Sequence, residues 1–245
     1  MSHRVGLTRY DGFVLGWLLD VPGCLAKAPS AEVLPGALQL PLAEHAGWLL
    51  GRGVRVDPTA TFDVVEEVDA RLLTATGGEF CFEADREPIG PAELEQLLAM
   101  MRWARDELLE SAALPDAILD WEPPQTAIGP SDPWAPGPRT AREVLTHALQ
   151  LEVYYRGGLG DGEGPGIFEA VEAAGEEERR TEATIRDAFA SGRRSWWVTR
   201  PGRPAPEEWT LRKVARRMIA HYRVHAAEIV QRRTWVLLGP PLIAR

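Results

Sequence analysis

Near the C-terminal end, the run Trp209-Thr-Leu-Arg-Lys-Val-Ala-Arg-Arg-Met-Ile-Ala-His221-Tyr-Arg-Val-His225-Ala-Ala-Glu228 fixes more about this chain than any other stretch. Leu211, Val214, Ala215, Met218, Ile219, Ala220, Val224, Ala227 and Ile229 recur with helical spacing, and Thr210 stands where an N-cap belongs. Trp209 before that cap and Val214 after it fit a hydrophobic staple. His221 and His225 are four residues apart, so a helix carries both imidazoles on one face, a turn apart. Such a pair can share a metal ion, and it also occurs as ordinary core or surface histidines.

A third histidine adds weight to the metal reading. Thr140 and Glu143 have the spacing of a capping box and predict the start of another helix, which carries His147 within Val144-Leu-Thr-His147-Ala-Leu-Gln-Leu. Only five histidines occur in the chain, and three of them fall inside these two apolar helices. Unpartnered imidazoles are costly to bury, so a common ligand is the economical explanation. Three neutral imidazoles would leave a coordination position open, as catalytic sites do and closed structural sites do not. Histidine ligation suits zinc, nickel or iron. Glu228 continues the face of His225, where it could orient a ligand, become a further one, or pair with a nearby arginine.

These residues resemble the DinB/YfiT-like four-helix bundles, which include metal-dependent thiol S-transferases and a mycothiol-dependent maleylpyruvate isomerase. The family pattern places one histidine on the second helix and a His-x-x-x-His pair on the fourth, and His147, His221 and His225 fall on those positions. Met101-Arg-Trp-Ala-Arg-Asp-Glu-Leu-Leu, Leu119-Asp-Trp121-Glu-Pro-Pro and Trp209-Thr-Leu-Arg-Lys-Val also look like the family's phrases. The likeness covers roughly residues 90 to 235. It implies a divalent metal on the three histidines, and a low-molecular-weight thiol or small substrate as the partner in a transferase, isomerase or hydrolase-like reaction.

At 245 residues the chain is long for one small bundle and suggests two domains. Residues 1 to 84 have a strand-rich texture. His3 to Arg9, Phe13 to Asp20 and a stretch starting at Leu25 read as strands, Glu32 to Leu50 as a helix with Pro35 and Pro41 near its start or kinking it, and Phe62 to Asp69 as a further strand. This β-β-β-α-β order, with Val-Pro-Gly-Cys24 ahead of the helix, resembles the small HicB-like fold and implies a partner-binding module. The expected fold is therefore α+β, with a HicB-like domain over 1–84 and a DinB-like bundle over 85–245. Within the bundle, helices are expected from Pro91, from Ala141 and over Ile167 to Ala190. Long connections are expected over Trp121 to Pro138 and Gly157 to Gly166, with an aromatic, basic excursion at Arg193 to Arg200 that reads as a packing flap over the bundle mouth or as a substrate wall.

A net charge of −9 argues against general nucleic-acid binding. No apolar run is long enough to span a membrane and no secretion signal is evident, which makes cytoplasm the expected location. Cys24 and Cys81 read as reduced thiols. Arg212, Lys213, Arg216, Arg217, Arg223, Arg232 and Arg233 read as a solvated basic face of the last helix, or as a surface for an anionic thiol or partner. His3 and His45 stay outside the candidate site. The alternative to an enzyme is a metal-stabilised binding or stress-response module whose N-terminal domain mediates a partner interaction. A homodimer is compatible with either reading.

Overall fold

The computed structural model describes residues 2–70, 80–124, 139–160, 162–163, 174–200 and 205–239. It is a mixed α+β protein with a sheet in its N-terminal part and helices in its C-terminal part. Strands β1 (Ser2–Tyr10), β2 (Phe13–Leu18), β3 (Leu25–Ala28) and β4 (Thr61–Asp69) form a sheet of order β3-β2-β1-β4. The first three strands form an antiparallel meander. Because β4 runs parallel to β1, the chain needs a crossover, and helix α1 (Leu34–Leu50) supplies it. Leu34, Leu38, Leu42 and Leu49 line the buried face of α1. The helix continues through Pro41, whose missing N–H leaves the Ala37 carbonyl without its helical donor.

After a short 3₁₀ turn (Glu83–Arg86) come α2 (Pro91–Ser111), the one-turn α3 (Asp116–Leu119), α4 (Ala141–Arg156), α5 (Ala174–Ala190) and α6 (Leu211–Leu238). Pro91 sits in the first turn of α2, where its fixed φ suits the helix and no N–H is missed. The capping box at Thr140 forms: the hydroxyl accepts from the Glu143 N–H at 3.1 Å, and the Glu143 carboxylate accepts from the Thr140 N–H at 2.8 Å. Thr210 caps α6 by accepting from the Lys213 N–H at 3.1 Å. Helix α6 packs against α2, α4 and α5, so it is the axis on which the others assemble.

Two sequence expectations change. The excursion at 193–200 contains a strand, β6 (Trp196–Thr199), paired with β7 (Glu207–Trp209) and β5 (Gly162–Glu163) in a second sheet of order β5-β6-β7. Trp196 lies opposite Trp209 in this ladder and both are buried. Gly158 lets the backbone lie against the Trp209 ring, since a Cβ there would come within 2.4 Å of it. The helix expected over Ile167 to Ala190 is described from Ala174, and its first residues lie outside the described ones, as does most of the connection 121–138.

The second change concerns the basic residues of α6. Lys213, Arg216, Arg217 and Arg232 are buried rather than solvated. Burying such charges is tolerable only with close partners. Lys213 donates to the Glu208 carbonyl at 2.6 Å and lies over the Trp209 ring. Arg216 makes a two-pronged pair with Asp85, and Arg232 donates to Glu228 and to the Arg139 carbonyl.

One apolar cluster contains Val5, Leu7 and Leu38 from the N-terminal part as well as Leu97, Val144 and Met218 from the helices. Gly23 touches α6 directly. It has φ +89°, and a Cβ there would stand 2.2 Å from a methyl of Ile219. The Asp85–Arg216 pair ties the stretch after the N-terminal sheet to the same helix.

Candidate metal centre

The three histidines meet because α4 and α6 pack side by side. His147 projects from the second turn of α4, which begins where its capping box starts it, and His221 and His225 project from consecutive turns of α6. Ring centroids are 5.2 Å apart for His147 with each of the other two and 4.3 Å apart for His221 with His225. One nitrogen from each imidazole lies within 4.8 Å of the others. His221 and His225 face each other through Nε2 at 2.9 Å. Nitrogens sharing one ion at about 2.0–2.1 Å stand about 2.9 Å apart at a right angle and about 3.4 Å apart at the tetrahedral angle. The α6 pair has that spacing already, and a nitrogen of His147 lies within 4.8 Å of both.

The surroundings orient the imidazoles. His225 is fully buried, and its Nδ1 is 2.9 Å from Oε2 of Glu228, also buried. With Nδ1–H donating to that carboxylate, the lone pair is left on Nε2, which faces His221. A carboxylate behind an imidazole in this way holds the tautomer and raises ligand basicity. Burial alone would push the Glu228 carboxyl up. The bond from His225 and the charges of Arg139 and Arg232 outweigh it and hold the group below its usual range, as a carboxylate. Arg139 Nη2 lies 3.2 Å from Oε2 and Arg232 Nη2 lies 2.9 Å from Oε1. His221 is driven well below the ordinary imidazole range, first by burial and then by His225, His147, Arg217 and Arg139. A neutral imidazole is the form that can donate a lone pair to a cation.

His147 and His221 are only partly buried, so the cluster is open on one side while its Glu228 side is closed. Tyr155 packs edge-on against His221 at 5.8 Å. A cavity of about 330 Å³ lies elsewhere, between the 85–89 stretch, the end of α5 and the start of α6, and none of the three histidines lines it.

The other two histidines lie apart. His3 Nε2 is 3.4 Å from the Asp57 carbonyl oxygen, and His45 lies on the buried face of α1 with Nδ1 facing the Arg223 guanidinium. Burial and the Arg223 charge push His45 down to about 3, so it stays neutral. Sequence reading found Glu228 by its spacing from His225, but it had no signal for Arg139. That residue precedes the α4 cap and reaches Glu228 only through packing. No family model matches the chain, and neither a curated protein nor a solved structure matches it.

Proposed function

We propose that His147, His221 and His225 hold a divalent metal ion, zinc, nickel or iron, and that the protein is a metal-dependent enzyme of the DinB type acting with a low-molecular-weight thiol as an S-transferase or in a hydrolase-like reaction. The observation that carries this reading is the buried Glu228 carboxylate 2.9 Å from His225 Nδ1, on the other side of the ring from the Nε2 that faces His221, with His147 within 4.8 Å. When bound, such an ion lowers the pKa of a water or thiol toward neutrality. Glu228, held by Arg139 and Arg232, keeps His225 in one tautomer, while the depressed His221 stays neutral and available. The partly exposed edges of His147 and His221 are the side from which a small substrate would approach. By resemblance, the N-terminal sheet and α1 serve as a HicB-like partner-binding module, and the cytoplasm is the proposed location.

The test is elemental analysis of protein purified without a histidine tag, together with thiol transfer to a small electrophile. Both are compared with His147→Ala, His221→Ala and His225→Ala. One metal per chain in the wild type, and folded but metal-poor and inactive variants, is the expected result. Stoichiometric metal retained by all three variants refutes the ligand set. A second reading is a metal-stabilised binding module without turnover, favoured by the 330 Å³ cavity lying away from the histidines. Metal binding without thiol transfer would select it.

A further inference from the structure

The cavity of about 330 Å³ beside the start of α6 is charged, and its charges are unequal. Arg86, Arg193, Arg194 and Arg212 line it against two carboxylates, Asp85 and Glu87. Both carboxylates are already held, Asp85 by Arg216 and Glu87 by Arg4, each at 2.6 Å. Arg86 in turn is held by Glu83 and Glu208, and Arg212 by Glu93. The two arginines on the exposed rim are placed differently. Arg193 is steadied by its Nε, which donates to the Ser195 carbonyl at 2.6 Å, and by the Trp196 ring. Arg194 has no hydrogen-bond or ion-pair partner among the described residues. Gly192 brings both to the rim. Its N–H bonds back to the Phe189 carbonyl at 3.1 Å, and its φ of +67° turns the chain out of α5 across the cavity.

On the α6 side of the cavity, donors outnumber acceptors. Arg212 Nη2 donates to the Pro88 carbonyl at 3.2 Å, but its Nε is buried and meets no acceptor among the described residues. A buried donor left unmet is costly, and an oxygen entering from the cavity would relieve it. Thr210 caps the Lys213 N–H, while the N–H groups of Leu211 and Arg212, at the positive end of the α6 dipole, have no described acceptor. Guanidiniums from the end of α5 and donors from the start of α6 reach an anion from two elements. That suits the three oxygens of a phosphate better than the two coplanar oxygens of a carboxylate. Ile89, Phe189 and Leu211 add an apolar side. A cavity of about 150 Å³ takes a benzene ring, so this one has room for a ring beside the anion. We propose that this cavity binds a small phosphate monoester, its phosphate among Arg193, Arg194 and Arg212 and its apolar or aromatic group against Ile89, Phe189 and Leu211. None of the three clustered histidines lines the cavity, so binding here needs no metal on them.

Isothermal titration calorimetry of the full chain with phenyl phosphate, at low salt and with EDTA present, tests this. EDTA keeps any ion on His147, His221 and His225 from binding the phosphate in place of the cavity. A dissociation constant of about 100 µM is expected, with inorganic phosphate and benzoate each at least about tenfold weaker. Raising the salt from about 50 to 500 mM should weaken binding severalfold. Arg194→Glu puts a carboxylate on the rim without breaking a described contact, so the fold survives and phenyl phosphate should bind more than about tenfold more weakly. Arg212→Gln should weaken it about five- to tenfold. Arg179→Glu makes the same change of charge toward the other end of α5, where the side chain is 74% exposed, and should leave the affinity unchanged. Any of three results overturns the proposal: no binding of phenyl phosphate up to about 5 mM, an affinity unchanged in both Arg194→Glu and Arg212→Gln, or benzoate or inorganic phosphate binding as tightly as phenyl phosphate.

Discussion

Replacing Asp85 with alanine would strand a buried arginine. The Asp85 side chain is 1% exposed and that of Arg216 2%. Arg216 Nε donates to Oδ1 at 3.0 Å and Nη2 to Oδ2 at 2.6 Å, and the Phe82 N–H donates to Oδ2 at 3.0 Å. In Asp85→Ala the guanidinium keeps the rings of Trp17 and Phe82 beneath it, with centroids at 4.8 and 4.9 Å, but loses its only described counter-charge partner at hydrogen-bond distance. Ring faces supply about 1–2 kcal/mol to a desolvated cation, less than the carboxylate did. Breaking one side of a buried pair costs about 3–5 kcal/mol, a large part of a total stability of about 5–15 kcal/mol. Urea unfolding followed by tryptophan fluorescence measures the loss. Asp85→Leu combined with Arg216→Met should recover most of it, since removing both charges removes the stranded one. The pH dependence has a definite sign. Burial pushes the Asp85 carboxyl up, but the charge and hydrogen bonds of Arg216 and the Phe82 N–H bring it below its usual value. Its contribution is therefore complete above the unfolded carboxylate pKa of about 3.9 and is lost as pH falls through the lower folded value. The difference between wild type and Asp85→Ala should be flat from about pH 5 to 8 and shrink below about pH 4. A loss under about 1 kcal/mol at pH 7 would refute the reasoning.

Glu228→Gln keeps the size of the side chain but removes the charge behind His225, and should weaken metal binding about 10- to 100-fold in a chelator competition while the fold survives. Gly23→Ala forces a methyl into Ile219 at positive φ, whereas Gly12→Ala, also at positive φ, meets open space. Thermal melts should show Gly12→Ala costing about 1 kcal/mol and Gly23→Ala clearly more; equal losses would mean that the contact with α6 is not tight. Burial pushes both Cys24 and Cys81 up to about 12, so at pH 8 only about one thiol in ten thousand is ionised. Native protein should therefore react with iodoacetamide far more slowly than protein in urea, and fast native labelling of either thiol would contradict its burial.

Local chemistry made much of this chain readable. The capping box at Thr140 and Glu143, the cap at Thr210 and Pro91 in a first turn each act within a few residues, so they locate helix starts without knowledge of the rest. The four-residue spacing of His221 and His225 placed both rings on one face because helical periodicity is a property of the segment itself. The strand order of the N-terminal part was legible for the same reason, through alternation and turn residues.

Long-range pairing decided the rest. Strands β5, β6 and β7 have two to four residues each, too few for a period to show, and they exist because Trp196 finds Trp209 across a loop. The basic residues of α6 looked like a solvent face because lysine and arginine are seldom buried, and only the placement of Asp85, Glu208 and Glu228 against them offsets their desolvation. Arg139 reaches Glu228 across 89 residues of sequence. The sequence by itself thus determined which segments become helices and which way the histidines point along them. Tertiary structure decided that His147 faces the other two and which charges close behind them, because a buried charge is stable only where another part of the chain delivers its partner.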